Sequence, residues 1–250
     1  MKRLLKWTPL SAVLAFIGLM GCASSNVQQE YESYWRPVRP SVVLVYKFGV
    51  AEGSVSENQS IAAKGINSLS LNTAEERQAE LSREVQEMLT QDLVVGINGL
   101  GMAARVADGS APPDNALLVQ GQFTNIDEGN RLRRNIIGFG SGQSTVGTYV
   151  RVIQVTPEQF ITLMTFGTHA DSGAMPGALV TGGVGAAAGA STAAMLGTNA
   201  GLAVVKGYRS QVSQLARKSA NQTVAYLSQY FAKQGWIGQD KVVDPQLSSR

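Results

Sequence analysis

The residues best suited to acid–base chemistry are His169, the one histidine of the 250-residue chain, and Asp171 two positions later. An imidazole oriented by a carboxylate is a common general base in enzymes. Neither a Gly-x-Ser-x-Gly nucleophile turn nor a second histidine accompanies this pair. The adjacent carboxylates Asp127 and Glu128 fall in an expected turn, although a hydrolytic pair brought together only in space stays open. We therefore predict no catalytic residue and no enzymatic activity.

The sequence also offers little for a metal or a cofactor. With one cysteine, Cys22, and one histidine, the chain cannot build a zinc site of the usual Cys/His type or an internal disulfide. The run 138–144 (GFGSGQS) has the glycines of a phosphate loop, but Gln143 stands where that loop needs a lysine. The run is also expected to enter a strand, whereas phosphate loops open a helix. We predict neither a metal nor a cofactor.

Three arginines lie within four residues, at Arg131, Arg133 and Arg134. Their guanidinium groups could hold a phosphate, a lipid headgroup or a cell-wall carboxylate in bidentate fashion. The alternative is a solvated loop in which they pair locally with Asp127 and Glu128. The sequence favours the solvated loop and leaves an anionic ligand or a partner contact open.

The N-terminus has the pattern of a secretory signal. Three basic residues precede an apolar stretch, 10–20, that is too short to span a bilayer comfortably. The segment Leu19-Met20-Gly21-Cys22 resembles the lipobox of bacterial lipoproteins. That resemblance implies cleavage before Cys22 and acylation of this cysteine, with palmitate among the acyl chains. Because Ala23 is not the aspartate that retains such proteins in the inner membrane, it also implies a lipid-anchored, periplasm-facing location at the outer membrane.

Loss of the signal changes the charge balance. Without Lys2, Arg3 and Lys6, 18 basic residues face 18 acidic ones, and no basic tract is left. A surface that follows a phosphate backbone needs such an excess, so nucleic-acid binding is excluded. Residues 22–40 are polar and contain two Arg-Pro pairs, which indicates an extended, lipidated tether.

A stretch of small residues is the most unusual feature of the chain. Residues 172–205 contain no charge, and small residues recur every four positions, a pattern that resembles a glycine zipper. On a helix this spacing forms one smooth stripe that lets another backbone approach closely. Packing or self-association, membrane insertion and a glycine-rich loop all stay open. The stripe comprises Gly177, Thr181, Gly185, Gly189, Ala193, Gly197 and Gly201.

The remaining sequence predicts alternating strands and helices. Apolar, β-branched runs predict strands at 41–48, 102–107, 117–126, 144–155 and 159–168, with a loop over 50–71. Thr73 and Glu76 fit a capping box at the start of a helix, and Gly235 fits the end of a helix that begins near Ser210. We expect an α/β (α+β) fold with a mostly antiparallel sheet, two packed helices and a glycine-zipper helical segment.

Residues 121–146 (GQFTNIDEGNRLRRNIIGFGSGQSTV) resemble the signature stretch of the bacterial lipoprotein family known as domain of unknown function 4410. The resemblance extends over 41–236 and implies an envelope lipoprotein with an α/β domain. It implies no activity.

The expected organisation is a signal peptide (1–21), a tether (22–40), an α/β domain (41–171), a glycine/alanine-rich segment (172–207), and a C-terminal helix and tail (208–250) that pack on the domain. We predict a non-enzymatic role in cell-envelope assembly or maintenance, through contacts with envelope proteins or with a second copy. A membrane-active or self-oligomerising lipoprotein that acts through its glycine zipper is the alternative. An enzyme that acts on cell-wall or lipid substrates is a more distant one.

Overall fold

The computed structural model describes residues 25–50, 54–56, 73–127, 143–172 and 200–244. Most residues singled out above lie outside these ranges. They are the lipobox with Cys22, the three arginines Arg131, Arg133 and Arg134, and the stripe residues Gly177, Thr181, Gly185, Gly189, Ala193 and Gly197.

The described residues form eight strands and two long helices. The strands are β1 (Ser25–Glu32), β2 (Val43–Val45), β3 (Gly49–Val50), β4 (Val55–Ser56), β5 (Ala104–Val106), β6 (Leu117–Asp127), β7 (Thr145–Val155) and β8 (Phe160–Asp171). The helices are α1 (Ala74–Gly99) and α2 (Ala200–Lys233), and a short 3-10 turn follows at Gln239–Lys241. Each predicted strand and both predicted helices are present, and the α/β class is confirmed. The stripe residue Gly201 lies in the first turn of α2.

The strands form one mixed sheet in the order β1-β8-β7-β6-β2-β5, with β3 and β4 also paired to β6. The expectation of a mostly antiparallel sheet was wrong, because four described pairings are parallel and three are antiparallel. The physical reason is α1, which lies between β2 and β5 in the chain. A helix is the usual crossover that lets two strands run in parallel.

The strands β2, β3 and β4 follow one another along β6 like a single strand broken twice. Their register partners on β6 are Leu117–Val119, Gln122–Phe123 and Ile126–Asp127. The strand β4 therefore lies inside the segment 50–71 that was expected to be a loop. Its two residues were too few for the alternation of a strand to be visible in the sequence.

The expected tether also contains regular structure. Residues Ser25–Glu32 pair antiparallel with β8 and form one edge of the sheet, with an irregularity between Gln29 and Tyr31. The sequence SNVQQEYE is mostly polar because an edge strand exposes much of its surface, so the run lacked the apolar signal of a buried strand. Only residues 23 and 24 separate Cys22 from the first residue of β1.

The start of α1 and the end of α2 are as the sequence predicts, whereas α2 begins at Ala200, ten residues before the predicted start near Ser210 and within the segment 172–207. The Thr73 side chain accepts a hydrogen bond from the Glu76 amide (3.2 Å), and the Glu76 carboxylate accepts one from the Thr73 amide (2.9 Å), which completes the capping box. At the end of α2, Gly235 has φ +73°, and the Trp236 amide donates to the Phe231 carbonyl (2.9 Å). This is a Schellman motif, in which glycine relieves the strain of a left-handed residue.

Both helices pack on the same face of the sheet. The helix α1 covers β2, β4 and β5, and α2 covers β1, β7 and β8. The core between helices and sheet contains most of the large buried side chains, among them Phe48, Phe123, Phe166 and Phe231. We call this side the covered face and the opposite side the open face. A smaller cluster of Leu44, Leu118, Ile153 and Val155 lies at one end of the open face.

Within the part of the chain that the structure describes, no helix is both long enough and apolar enough to cross a membrane.

Candidate interaction surfaces

The acid–base candidates lie at one end of the sheet. His169 is exposed near the end of β8, in register with Asn26 and Gly147, and Asp171 is buried at the last position of β8, opposite Thr145. Asp127 is the last residue of β6, and Glu128 lies outside the described residues. In the five described ranges, no three His, Cys, Asp or Glu side chains converge as metal ligands would.

A polar and aromatic patch lies on the open face, on the central strands β6 and β7. Gln120 is in register with Arg151, and Gln122 is in register with Tyr149. These four residues and Gly121 line a shallow cavity of about 210 Å³. The side chains of Gln122 and Arg151 are exposed, and that of Tyr149 is half-buried. We call these residues the open-face patch.

The charge of this patch is not neutralised within the described residues. The ion pairs Arg105–Asp108, Arg217–Asp92 and Lys233–Glu32, which join described residues, all lie elsewhere. Arg151 forms neither an ion pair nor a side-chain hydrogen bond with any residue that the structure describes. A guanidinium group of this kind can bind a carboxylate or a phosphate in bidentate fashion.

A second surface lies at the corner of the sheet where β1 ends. Large apolar side chains are exposed there, with Tyr34 fully exposed, Trp35 48% exposed and Phe160 63% exposed. Tyr31 and Val38 complete the set, which we call the aromatic corner. Sequence reasoning missed this surface because the segment 22–40 was interpreted as a tether. The signal was present as three aromatic residues, Tyr31, Tyr34 and Trp35, just before the two Arg-Pro pairs.

Two hydrogen bonds hold the aromatic corner against the sheet. The Ser33 amide donates to the Leu163 carbonyl of β8 (2.7 Å). The side-chain amide of Gln154 on β7 donates to the Val38 carbonyl (2.7 Å). The segment between them therefore crosses from β8 to β7, and its residues Tyr34, Trp35 and Arg36 are exposed.

The strand β1 is fixed to α2 by polar contacts. The Tyr226 hydroxyl donates to Gln29 Oε1 (2.6 Å), and Lys233 pairs with Glu32 (2.5 Å). Burial, together with the nearby Glu32 carboxylate, raises the pKa of Tyr226 and the pKa of Tyr230 to about 12. The Tyr226 phenol therefore keeps its proton, and with it the hydrogen bond to Gln29, to a higher pH than an exposed tyrosine would.

Comparison with known proteins gives a family and a weak structural likeness. Residues 43–189 match the family model described as a domain of unknown function (DUF4410), which is more than half of the chain. The dodecamer of PelC from Paraburkholderia phytofirmans is 10% identical and covers 78% of this chain and 96% of its own, with a TM-score of 0.30. A leucine-to-methionine variant of the same dodecamer gives 10% identity, 78% and 95% coverage and a TM-score of 0.29.

These TM-scores are too low to carry an argument about this chain. No curated protein sequence matches it. The match to the family model covers the sheet from β2 to β8 together with α1. The chain therefore belongs to the DUF4410 family.

Proposed function

We propose that the protein is a lipid-anchored envelope lipoprotein with a non-enzymatic role in envelope assembly or maintenance, exerted through protein contacts. The lipobox Leu19-Met20-Gly21-Cys22 supports the anchor. Because β1 begins three residues after Cys22, an acylated Cys22 would hold the domain close to the membrane surface. A periplasm-facing position at the outer membrane follows from Ala23, as argued from the sequence.

The open-face patch is the observation that carries the protein-contact role. Its exposed guanidinium group, Arg151, lies beside Gln120 on the face that neither helix covers. Tyrosine and arginine are enriched at protein interfaces, where they contribute disproportionately to binding. The patch fits a protein partner that presents a carboxylate for Arg151 and a flat polar surface for Tyr149.

The covered face cannot serve the same purpose. Its central side chains, such as Phe123 and Phe166, are fully buried beneath the helices. A partner could reach them only by displacing α1 or α2, which would expose the core at a cost comparable to the whole stability of a domain. The open face requires no such rearrangement.

Site-specific photo-cross-linking in cells tests this role. A photo-reactive amino acid placed at Gln122 reports on the open-face patch, and the same amino acid at Gln229, exposed on α2, is the matched control. We expect a discrete cross-linked protein at Gln122 that is absent at Gln229 and lost when Arg151→Ala is added. Equal labelling at both positions, or none at Gln122, would contradict the proposal.

A cross-linked product that consists of two copies of this chain would instead favour the self-associating lipoprotein. Mass spectrometry of the product separates these outcomes.

A further inference from the structure

We propose that the edge strand β1 lies along the bilayer surface, with the aromatic corner seated in the membrane interface. The inference rests on the proposed acylation of Cys22, and it adds a second, protein-borne contact with the membrane. The partner of the aromatic corner would thus be a lipid surface. The sheet would stand on its β1 edge, with β5 at the edge farthest from the bilayer.

The link between Cys22 and the sheet is short. Three residues span at most about 10 Å, so the start of β1 must stay close to the acyl chains. The strand then extends about 23 Å from Ser25 to Glu32, and the aromatic corner follows at once. The lipid and the aromatic corner are therefore at the two ends of one sheet edge.

The side chains of the aromatic corner are of the types that favour a membrane–water interface. Tryptophan and tyrosine concentrate at membrane–water interfaces, where the ring is apolar and its N–H or O–H group stays hydrated. Trp35 and Tyr34 present such rings to solvent. A soluble surface that exposes several large apolar side chains together is a typical site of membrane or protein contact.

The segment 33–42, which contains much of the aromatic corner, is basic. Residues 33–42 contain Arg36 and Arg39, both exposed, and no acidic residue. Along β1, the Glu32 carboxylate is paired with Lys233, which leaves Glu30 as the exposed carboxylate of this edge. Basic residues at a membrane surface are attracted to anionic headgroups. This complementarity, and the continuity with the anchor, favour a bilayer over a protein partner.

The strand β1 is firmly attached to the rest of the domain. Because β1 pairs with β8 from Ser25 to Glu32, and Gln29 and Glu32 are also bonded to α2, the strand is fixed to the domain along its length. Two membrane contacts joined by a fixed strand define an orientation, whereas a flexible tether would not. In that orientation the open-face patch faces sideways, parallel to the bilayer, where a partner can reach it.

Tryptophan fluorescence tests the inference because the chain contains only Trp7, Trp35 and Trp236. Trp7 lies in the signal peptide, and Trp236 is 5% exposed within the aromatic cluster at the end of α2. The full-length chain, processed in cells and purified, would be reconstituted into vesicles of phosphatidylethanolamine and phosphatidylglycerol that carry acyl-chain-brominated lipids. The difference between the wild type and Trp35→Phe isolates the emission of Trp35.

A matched control places a tryptophan at the opposite side of the domain. Val95 is 68% exposed on α1, which covers the β5 side of the sheet. The double variant Trp35→Phe/Val95→Trp thus carries an exposed tryptophan away from the β1 edge. We expect brominated lipid to remove most of the Trp35 emission and to leave the emission of the Val95→Trp variant unchanged. Arg36→Gln combined with Arg39→Gln is expected to reduce the quenching.

The other outcomes overturn the inference in distinguishable ways. If the protein floats with the vesicles but Trp35 is not quenched, the anchor stands and the aromatic corner belongs to a protein partner or a second copy. If both tryptophans are quenched, the domain has no fixed orientation. If the protein does not float, the anchor itself is wrong, and the proposed location falls with it.

Discussion

The covered face and the open face belong to the same strands but differ in nearly every physical respect. Phe123 of β6 points into the core and is fully buried, whereas its chain neighbour Gln122 is exposed on the other side. On the covered face, shape decides which residue fits, because the neighbours leave no free space. On the open face, neighbouring atoms place fewer steric constraints on the side chains of Arg151 and Tyr149. The comparison suggests that one face maintains the fold while the other is free to bind.

The glycines show how tightly the covered face is packed. A Cβ atom on Gly121 would lie 2.5 Å from the Phe48 ring and 2.5 Å from the Tyr149 carbonyl oxygen. Real Cβ atoms do not approach other atoms so closely, so the strand could not keep its position. Gly121 is therefore required for packing, although it borders the open-face cavity.

The largest expected effect on stability comes from replacing two neighbouring residues on β6, one on each face of the sheet. Phe123→Ala should lower the free energy of unfolding by about 3–5 kcal/mol, because it leaves a cavity in the core. Gln122→Ala should change it by no more than about 0.5 kcal/mol, since the side chain is solvated. Denaturant unfolding of both variants gives the values. A comparable loss for Gln122→Ala would mean that the open face is covered in the folded protein.

The contact between the helices gives a second, smaller test. A Cβ atom on Gly96 of α1 would lie 2.5 Å from Cγ2 of Val224 on α2, so Gly96→Ala should force the helices apart. We expect a loss of about 1–3 kcal/mol, as for other overpacked core positions. Gly99→Ala, on the same helix with nothing within 4 Å, is the control and should be neutral or slightly stabilising.

Thermal unfolding measures both glycine variants. If Gly96→Ala is as stable as Gly99→Ala, the close crossing of the two helices is not required for the fold.

The pH dependence of stability is the smallest effect and concerns the buried phenol of Tyr230 on α2. The pKa of Tyr230 is raised to about 12, so the unfolded chain releases this proton near pH 10 while the folded protein keeps it. Stability therefore decreases as the pH rises from about 10 to about 12. Tyr230→Phe should make this decrease shallower, as measured by urea unfolding at pH 9 and pH 11. An unchanged slope would show that Tyr230 does not contribute to it.

Local patterns predicted much of this fold. The capping box at Thr73, the end of α2 at Gly235 and the long strands β6, β7 and β8 depend on residues close together in sequence, so they were visible without a structure. The parallel pairing of β2 with β6 was not visible, because it depends on which strands become neighbours after α1 crosses the sheet. The polar strand β1 was missed because its stability comes from β8 and α2, far away in the chain.

The candidate surfaces also differ in how far they could be predicted from the sequence. Cys22 and the three arginines were found from residue type and spacing, and they lie outside the described residues. The open-face patch could not be predicted, because Gln120 and Arg151 are 31 positions apart in sequence and are brought together only by the register of β6 and β7. The aromatic corner could have been suspected from its composition, but its exposure depends on the path between β8 and β7.

The proposed anchor and the proposed membrane contact of β1 both depend on the acylation of Cys22, which metabolic labelling measures directly. Cells that express the full-length chain or the Cys22→Ser variant would be grown with radioactive palmitate, and the protein would be followed into the membrane fraction. We predict that the wild-type chain is labelled and sediments with the outer membrane, and that Cys22→Ser is unlabelled. An unlabelled wild-type chain, or equal labelling of the variant, would contradict the account.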